Sequence, residues 1–513
     1  MVKLLSEIDS LRADDSAHLI GSDVAAFEKL LLTKSETFWV DLGAKKALRL
    51  FHAAAERVPA YKDFLKREGI RHASVKTIGD FSGIPLTDAK NYIAAYPLAK
   101  RCWDGKLSST QFIATSSGTK GEPKFWPRSP QQDFEAALIH EFLYRTYFQF
   151  DRHSTLLLIG FPMGIYISGI ATLLPSWLSS LKHRKMTIMS IGNNKAEIIR
   201  AVRNLSGSYD QTVLVGHPFF IKDVLETGAQ EGIKWSKNNL GLMFCSEGFS
   251  EEWRSYIINK AGLPPASMRV FNTYGSSEML LMAYETPFSI AVKKLAEGDS
   301  GFLSAFTGDA VAPQFFQYNP LLRYIESVKK ELIFTSASGL PLVRFNIRDR
   351  GDVFSLRHLE DSLRAADVRL KAPRSHLEGP ASRLPIVALW GRSDDTLKFH
   401  GVNIYPEHIK VGLNRKQFLR TLTGKFVMRK FLGKKMDQFF EINLELSPGV
   451  VAHKKLTQEI QLHVTETLLK INLEYHDMSS HVKKDVRPRV VLWHYQDPKY
   501  FKPGLKPHYL ERT

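Results

Sequence analysis

The sequence predicts an α/β fold: a large N-terminal domain of buried β-sheets flanked by helices, followed by a small α+β C-terminal domain. Three observations predict it. Between residues 110 and 350, short apolar runs (Leu156–Ile159, Thr212–Val215, Leu242–Phe244, Leu332–Phe334) alternate with helical stretches, the pattern of buried strands and their crossovers. Near the end, Phe440, Ile442, Leu444 and Leu446 alternate with Glu441, Asn443 and Glu445, which reads as a half-buried strand. The chain has 513 residues, 44% hydrophobic and 24% charged, enough for two to four units at roughly 100–200 residues each.

Taken in order, residues 1–40 read as a poorly defined N-terminal extension. From Ala47, the residues Leu48, Phe51, Ala55 and Val58 recur at helical spacing and stop before Pro59. Thr155 to Leu178 carries no charge over 24 residues, long enough to cross a bilayer. Gly160, Pro162, Gly164, Gly169 and Pro175 interrupt it, so a strand, a glycine-rich loop and a buried helix fit better. Leu456, Ile460, Val464 and Leu468 make a helix face, and Val490 to Leu492 begin another strand. This strand–helix–strand unit places the small domain at 394–513 and the large one at 1–393.

Two cysteines, Cys102 and Cys245, exclude a disulfide framework. The N-terminus lacks the apolar stretch of a signal peptide, so a cytoplasmic protein is expected. The net charge is +17, with 19 basic against 10 acidic residues between 411 and 513. That balance favours an anionic partner, while the lack of a basic run with interleaved aromatics argues against nucleic acid. The oligomeric state stays open.

The strongest local signal is Thr115-Ser116-Ser117-Gly118-Thr119-Lys120-Gly121-Glu122-Pro123-Lys124. Hydroxyls, glycine amides and lysines so dense form a cradle for phosphate oxygens, without the spacing of a Walker A loop. Three further segments follow: Asn272-Thr273-Tyr274-Gly275-Ser276-Ser277-Glu278, Arg344-Phe345-Asn346-Ile347-Arg348-Asp349, and Gly391-Arg392-Ser393-Asp394-Asp395 leading to Lys398 and Gly401.

These segments, in this order, resemble the phosphate loop and later motifs of the adenylate-forming superfamily: acyl-CoA synthetases, peptide-synthetase adenylation domains and beetle luciferases. The phenylacetate–CoA ligase branch is most similar, through Val58-Pro59-Ala60-Tyr61, Ile84-Pro85-Leu86-Thr87, Ser246-Glu247-Gly248 and Gly401-Val402-Asn403-Ile404-Tyr405-Pro406.

The resemblance implies roles. Ser116, Ser117, Gly118, Thr119, Gly121 and Lys124 would hold the ATP phosphates. Tyr274, with Gly275, would stack on adenine, and Ser246, Glu247 and Gly248 would edge the base pocket. Ser277 would touch the α-phosphate, Glu278 would ligate Mg²⁺, Asp349 would hold the ribose hydroxyls, and Arg392 would contact the same nucleotide. Taken alone, Asp349 could equally pair with Arg348 or Arg350, and Tyr274 could be a core aromatic. Asp394 would be the hinge of a mobile small domain. Lys506 would bridge carboxylate and phosphate, with Lys502 and Lys499 as alternatives, and Lys398 would act in a second step. Phe161, Tyr166, His217 and Phe219 would line the acyl pocket.

The implied reaction is activation of a small carboxylic acid by ATP to an acyl-adenylate, then transfer to a thiol, coenzyme A first. An amine or a carrier-protein thiol is the alternative acceptor, and a non-catalytic nucleotide-binding homologue the third reading.

Overall fold

The computed structural model describes residues 24–513, apart from 111, 116–123, 165–166, 371–382, 393–394, 400–401, 433–437, 482–485, 503–508 and 512–513. Among the described residues, twelve strands form one sheet. In chain order they are β1 (Thr87–Asp88), then, after the hairpin β2 (Phe112–Thr115) and β3 (Phe125–Arg128), β4 (Thr155–Ile159), β5 (Met186–Ser190), β6 (Gln211–Gly216), β7 (Leu240–Cys245) and β8 (Val270–Ser276). The antiparallel members follow: β9 (Leu280–Tyr284), β10 (Gln314–Gln317), β11 (Tyr324–Val328), β12 (Glu331–Ser336), β13 (Leu342–Phe354) and β14 (Ile386–Arg392). Their spatial order is β11-β12-β13-β14-β10-β9-β8-β7-β6-β4-β5, with β1 beside β13.

The half from β5 to β8 is parallel, and from β8 to β11 successive neighbours run antiparallel, with β1 added parallel to β13. Side-chain alternation sorts the parallel strands cleanly. Leu157, Ile159, Val213, Val215, Met243 and Phe271 face one core with Phe142, Leu143 and Tyr147. Leu156, Leu158, Leu214, Leu242 and Val270 face the other, with Ile198, Ile221, Leu225 and Ile257. Both faces are therefore covered by helices, as a parallel sheet requires. The uncharged stretch from Thr155 resolves into β4 and the helix Ile167–His183, which contains Pro175. Among the described residues no helix is long and apolar enough to cross a membrane.

The N-terminal reading needs correction. The helix carrying Ala47 begins at Glu36, capped by Ser35, and a further helix spans Val24–Thr33. Phe27, Leu30, Leu31 and Trp39 are buried in the core beneath the parallel half, so this part of the extension is structural. Its short amphipathic run gives too few turns to show a period.

A separate core draws on residues from Leu397 to Tyr509. It comprises the hairpin β15 (Leu397–Phe399) and β16 (Val402–Ile404), and the sheet of β17 (Leu422–Leu432), β18 (Gln438–Leu446) and β19 (Arg489–Trp493). Leu456, Ile460, Val464 and Leu468 are the buried face of the helix Lys454–Ile471. β18, however, is buried on both faces. Glu445 accepts from Thr423 Oγ1 at 2.7 Å and meets Lys425 Nζ at 3.2 Å. Asn443 accepts from Trp493 Nε1 at 2.7 Å. Polar alternation therefore marked an internally paired face, not a solvated one.

Candidate active site

The carboxyl ends of β4, β6, β7 and β8 open into a cavity of about 2130 Å³, the position where open α/β sheets bind ligands. Phe161 follows β4, His217 follows β6, Ser246 to Gly248 follow β7, and Ser277 and Glu278 follow β8; all line it. Tyr274 and Gly275 of β8, Lys124 just before β3, Asp349 of β13 and Arg392 of β14 complete the set.

At its centre, Tyr274 donates its phenolic hydroxyl to Asp349 Oδ2 at 2.5 Å. Asp349 on β13 pairs in register with Arg392 on β14, and Arg392 Nη1 stands 3.7 Å from Asp349 Oδ1. The neighbouring arginines are engaged elsewhere: Arg348 with Asp88 at 2.8 Å, Arg350 with Asp309. Asp349 is thus turned towards the cavity. The Tyr274 ring stacks on Phe316 with centroids 5.8 Å apart, so it is both a core aromatic and a cavity wall. Burial and Asp349 hold its hydroxyl protonated well beyond the ordinary range. Gly275 is required here, because a Cβ would lie 2.9 Å from the Leu280 carbonyl oxygen.

Burial raises the pKa of Glu278, and Ser276, Arg392 and Lys124 act against that rise. A carboxylate so placed gains from a cation. Ser246 adopts φ = 79°, a left-handed conformation that costs a non-glycine residue about 1–3 kcal/mol and turns the chain at the end of β7.

No protein-family model matches the sequence, and no curated protein does. Solved structures do. The crystal structure of 2-hydroxyisobutyryl-CoA ligase in the postadenylation state, in complex with R3-HIB-AMP, matches 94% of this chain and 92% of that one. The TM-score is 0.66 at 14% identity. The same ligase in complex with 2-HIB-AMP and CoA, in the thioesterification state, matches 91% and 88%, with a TM-score of 0.52 at 15% identity. The chain shares the fold of 2-hydroxyisobutyryl-CoA ligase. At these identities the likeness is one of fold, and the resemblance to the phenylacetate–CoA ligase branch remains a sequence reading.

Within this fold, the loop after β7 rests on a buried ionic cluster that the sequence did not disclose. Lys293, wholly buried, donates to the Phe249 carbonyl and, at 2.9 Å, to Gln314 Oε1. Its charge lies 3.4 Å from Glu251. Arg254 pairs with Glu251 at 2.9 Å and Glu285 at 2.6 Å. Glu285 also accepts the Asn272 N–H at 2.6 Å, and Asn272 Nδ2 donates to the Glu247 carbonyl at 2.9 Å. A second buried set, Lys46–Glu135–Arg323, ends with Arg323 Nε donating to the Met279 carbonyl at 2.9 Å, next to Glu278. These residues are scattered along the chain, so no local pattern links them.

Among the residues expected to line an acyl pocket, Phe161 and His217 meet edge to face at 5.1 Å. Phe219 packs on Trp253 at 5.9 Å and against Gly424 of β17. Met243, Cys245 and His140 also line the cavity, and sequence reasoning missed them. Ser116, Ser117, Gly118, Thr119, Gly121, Tyr166, Asp394 and Lys506 lie outside the described residues, as does the Lys398 side chain on β15. Lys499, an alternative to Lys506, sits over the Trp493 and Tyr500 rings at 5.1 and 4.8 Å. Among the described residues, Lys410 and Lys470 are the lysines that the C-terminal region contributes to the lining.

Proposed function

We propose that this protein is an AMP-forming ligase that activates a carboxylic acid with ATP and passes the acyl group to a thiol, coenzyme A. The observation that supports it most is the meeting of Tyr274, Asp349, Arg392, Glu278 and Lys124 around one cavity at the strand ends. In the first step a carboxylate oxygen bonds to the α-phosphorus of ATP as the bond to the bridging oxygen breaks. Pyrophosphate leaves with that electron pair. In the second, the thiolate sulfur attacks the acyl carbon and AMP leaves.

Both first-step partners are anions, so the site must offset their repulsion. Lys124 and Arg392 bring positive charge, and Asp349 accepts hydrogen bonds from the ribose hydroxyls, worth roughly 1.5–3 kcal/mol each. Among the described residues no group of three or more His, Cys, Asp or Glu side chains forms a cage. That suits a cation taking one carboxylate, here Glu278, with phosphate and water oxygens. Mg²⁺ so bound would polarise the phosphoryl oxygens.

ATP–pyrophosphate exchange against aryl, fatty and amino acids tests the reading: acid-dependent exchange is expected, together with its loss in Glu278→Gln. Exchange with no acid would refute the ligase, and unchanged exchange in Glu278→Gln would refute the metal role.

A further inference from the structure

His140 sits on the helix Pro130–Phe148, only 3% exposed, and lines the cavity. Its position on the wall follows from the packing of that helix on Ile167–His183. One turn earlier, Ala136 packs with Ile167, Ala114 and Leu280. One turn later, the Tyr144 hydroxyl shares a hydrogen bond with Ser176 Oγ at 2.7 Å. His140 therefore stands at the level of Ala171 and Thr172, where the cavity wall is otherwise mostly apolar. The Thr172 hydroxyl is spent on the Ser168 carbonyl at 3.0 Å.

The chemistry of the imidazole is fixed by its other side. Nδ1 lies 2.8 Å from the Ala136 carbonyl oxygen, which can only accept, so Nδ1 carries the proton. Burial holds the ring neutral, with its pKa brought down to about 4. Nε2 is then a bare acceptor. Among the described residues nothing hydrogen-bonds it, and it is not among the sealed polar atoms of the interior; its opening is the cavity. A buried acceptor left without a donor is costly, and a purely hydrocarbon acid would leave it so.

We propose that His140 Nε2 accepts a hydrogen bond from the acyl substrate, and that the preferred acid carries a hydroxyl or N–H group besides its carboxylate. The inference rests on the ligase reading for the identity of the cavity's occupant.

The test uses the full chain, with benzoate against each monohydroxybenzoate and phenylacetate against each hydroxyphenylacetate. Exchange and calorimetric binding are measured on the same samples. In the wild type, at least one hydroxylated acid is expected to exceed its parent by about tenfold or more in kcat/KM. His140→Leu should bring that ratio to about one, and His140→Gln, which keeps an acceptor, should restore part of it, with ATP binding unchanged in both. A wild type preferring the parent acids throughout, or a ratio unmoved in His140→Leu, overturns the proposal. The wild-type ratio decides even where a variant fails to fold. Exchange without a His140-dependent preference removes the acceptor role and leaves the ligase. A His140-dependent binding preference without exchange supports the acceptor and removes the ligase.

Discussion

Asp349 and Arg392 face one another across adjacent antiparallel strands, guanidinium Nη1 3.7 Å from carboxylate Oδ1. The separation is wider than a direct hydrogen bond, and the other oxygen of Asp349 takes the Tyr274 hydroxyl. The register of β13 and β14 sets the two charges side by side at the cavity wall.

Asp349→Asn is therefore expected to raise KM for ATP roughly 10- to 100-fold, from the loss of charge-assisted bonds. Tyr274→Phe should instead act first on stability, by about 1.5–3 kcal/mol. Exchange kinetics and urea unfolding on both variants separate the two effects. Equal KM in wild type and Asp349→Asn refutes the ribose assignment.

Glu285→Gln should destabilise the protein by about 3–5 kcal/mol, because Arg254 would keep its charge in a buried site with one carboxylate fewer. The Glu285–Asn272–Glu247 chain of hydrogen bonds also predicts a higher KM for ATP at temperatures where the variant stays folded. An unfolding midpoint equal to the wild type's would show that the cluster contributes little.

Gly391 has φ = +137°, and a Cβ there would run into the Glu407 carboxylate. Gly391→Ala should cost about 1–3 kcal/mol and displace Arg392 beside it, lowering both the urea midpoint and ATP affinity. Unchanged affinity alongside a lowered midpoint would confine the glycine to a structural role.

His140 and His408 are both buried, and burial brings each pKa down to about 4. In the unfolded chain they titrate near 6.5. Below that pH the unfolded state binds more protons than the folded one. The stability tied to each neutral ring is thus fully present above pH 6.5 and is lost as pH falls towards 4, by about 3 kcal/mol per histidine. Urea midpoints measured across this window should fall steadily and fall less in His140→Leu. A flat profile would contradict the burial of charge-intolerant rings.

The parallel strands were legible because a strand buried on both faces must be apolar throughout, as Leu156–Ile159 is. The small-domain helix was legible for the complementary reason, four apolar residues at a strict spacing. β17 went unseen because Lys425, Arg429 and Lys430 interrupt its apolar positions, and partners such as Glu441, which pairs with Arg429, sit on another strand. Tyr274, Glu278, Asp349 and Arg392 in the cavity wall carried a local signal, whereas His140 in that wall and Lys293 and Arg323 outside it owe their placement to folding alone. A lone histidine in an apolar helix carries no mark of which nitrogen will be left open.

The sheet changes direction at β8, which has a parallel neighbour on one side and an antiparallel one on the other. Phe161, His217 and Met243 come from the parallel side, Asp349 and Arg392 from the antiparallel side. On the proposed reading, Phe161 and His217 of the acid-selecting wall and the ribose-binding Asp349 belong to opposite flanks of one seam. Mutational drift on the first flank can retune chemical taste while the second stays frozen. Directed evolution of this scaffold towards new acids should therefore draw its libraries from the loops after β4 and β6 and from the helix that carries His140.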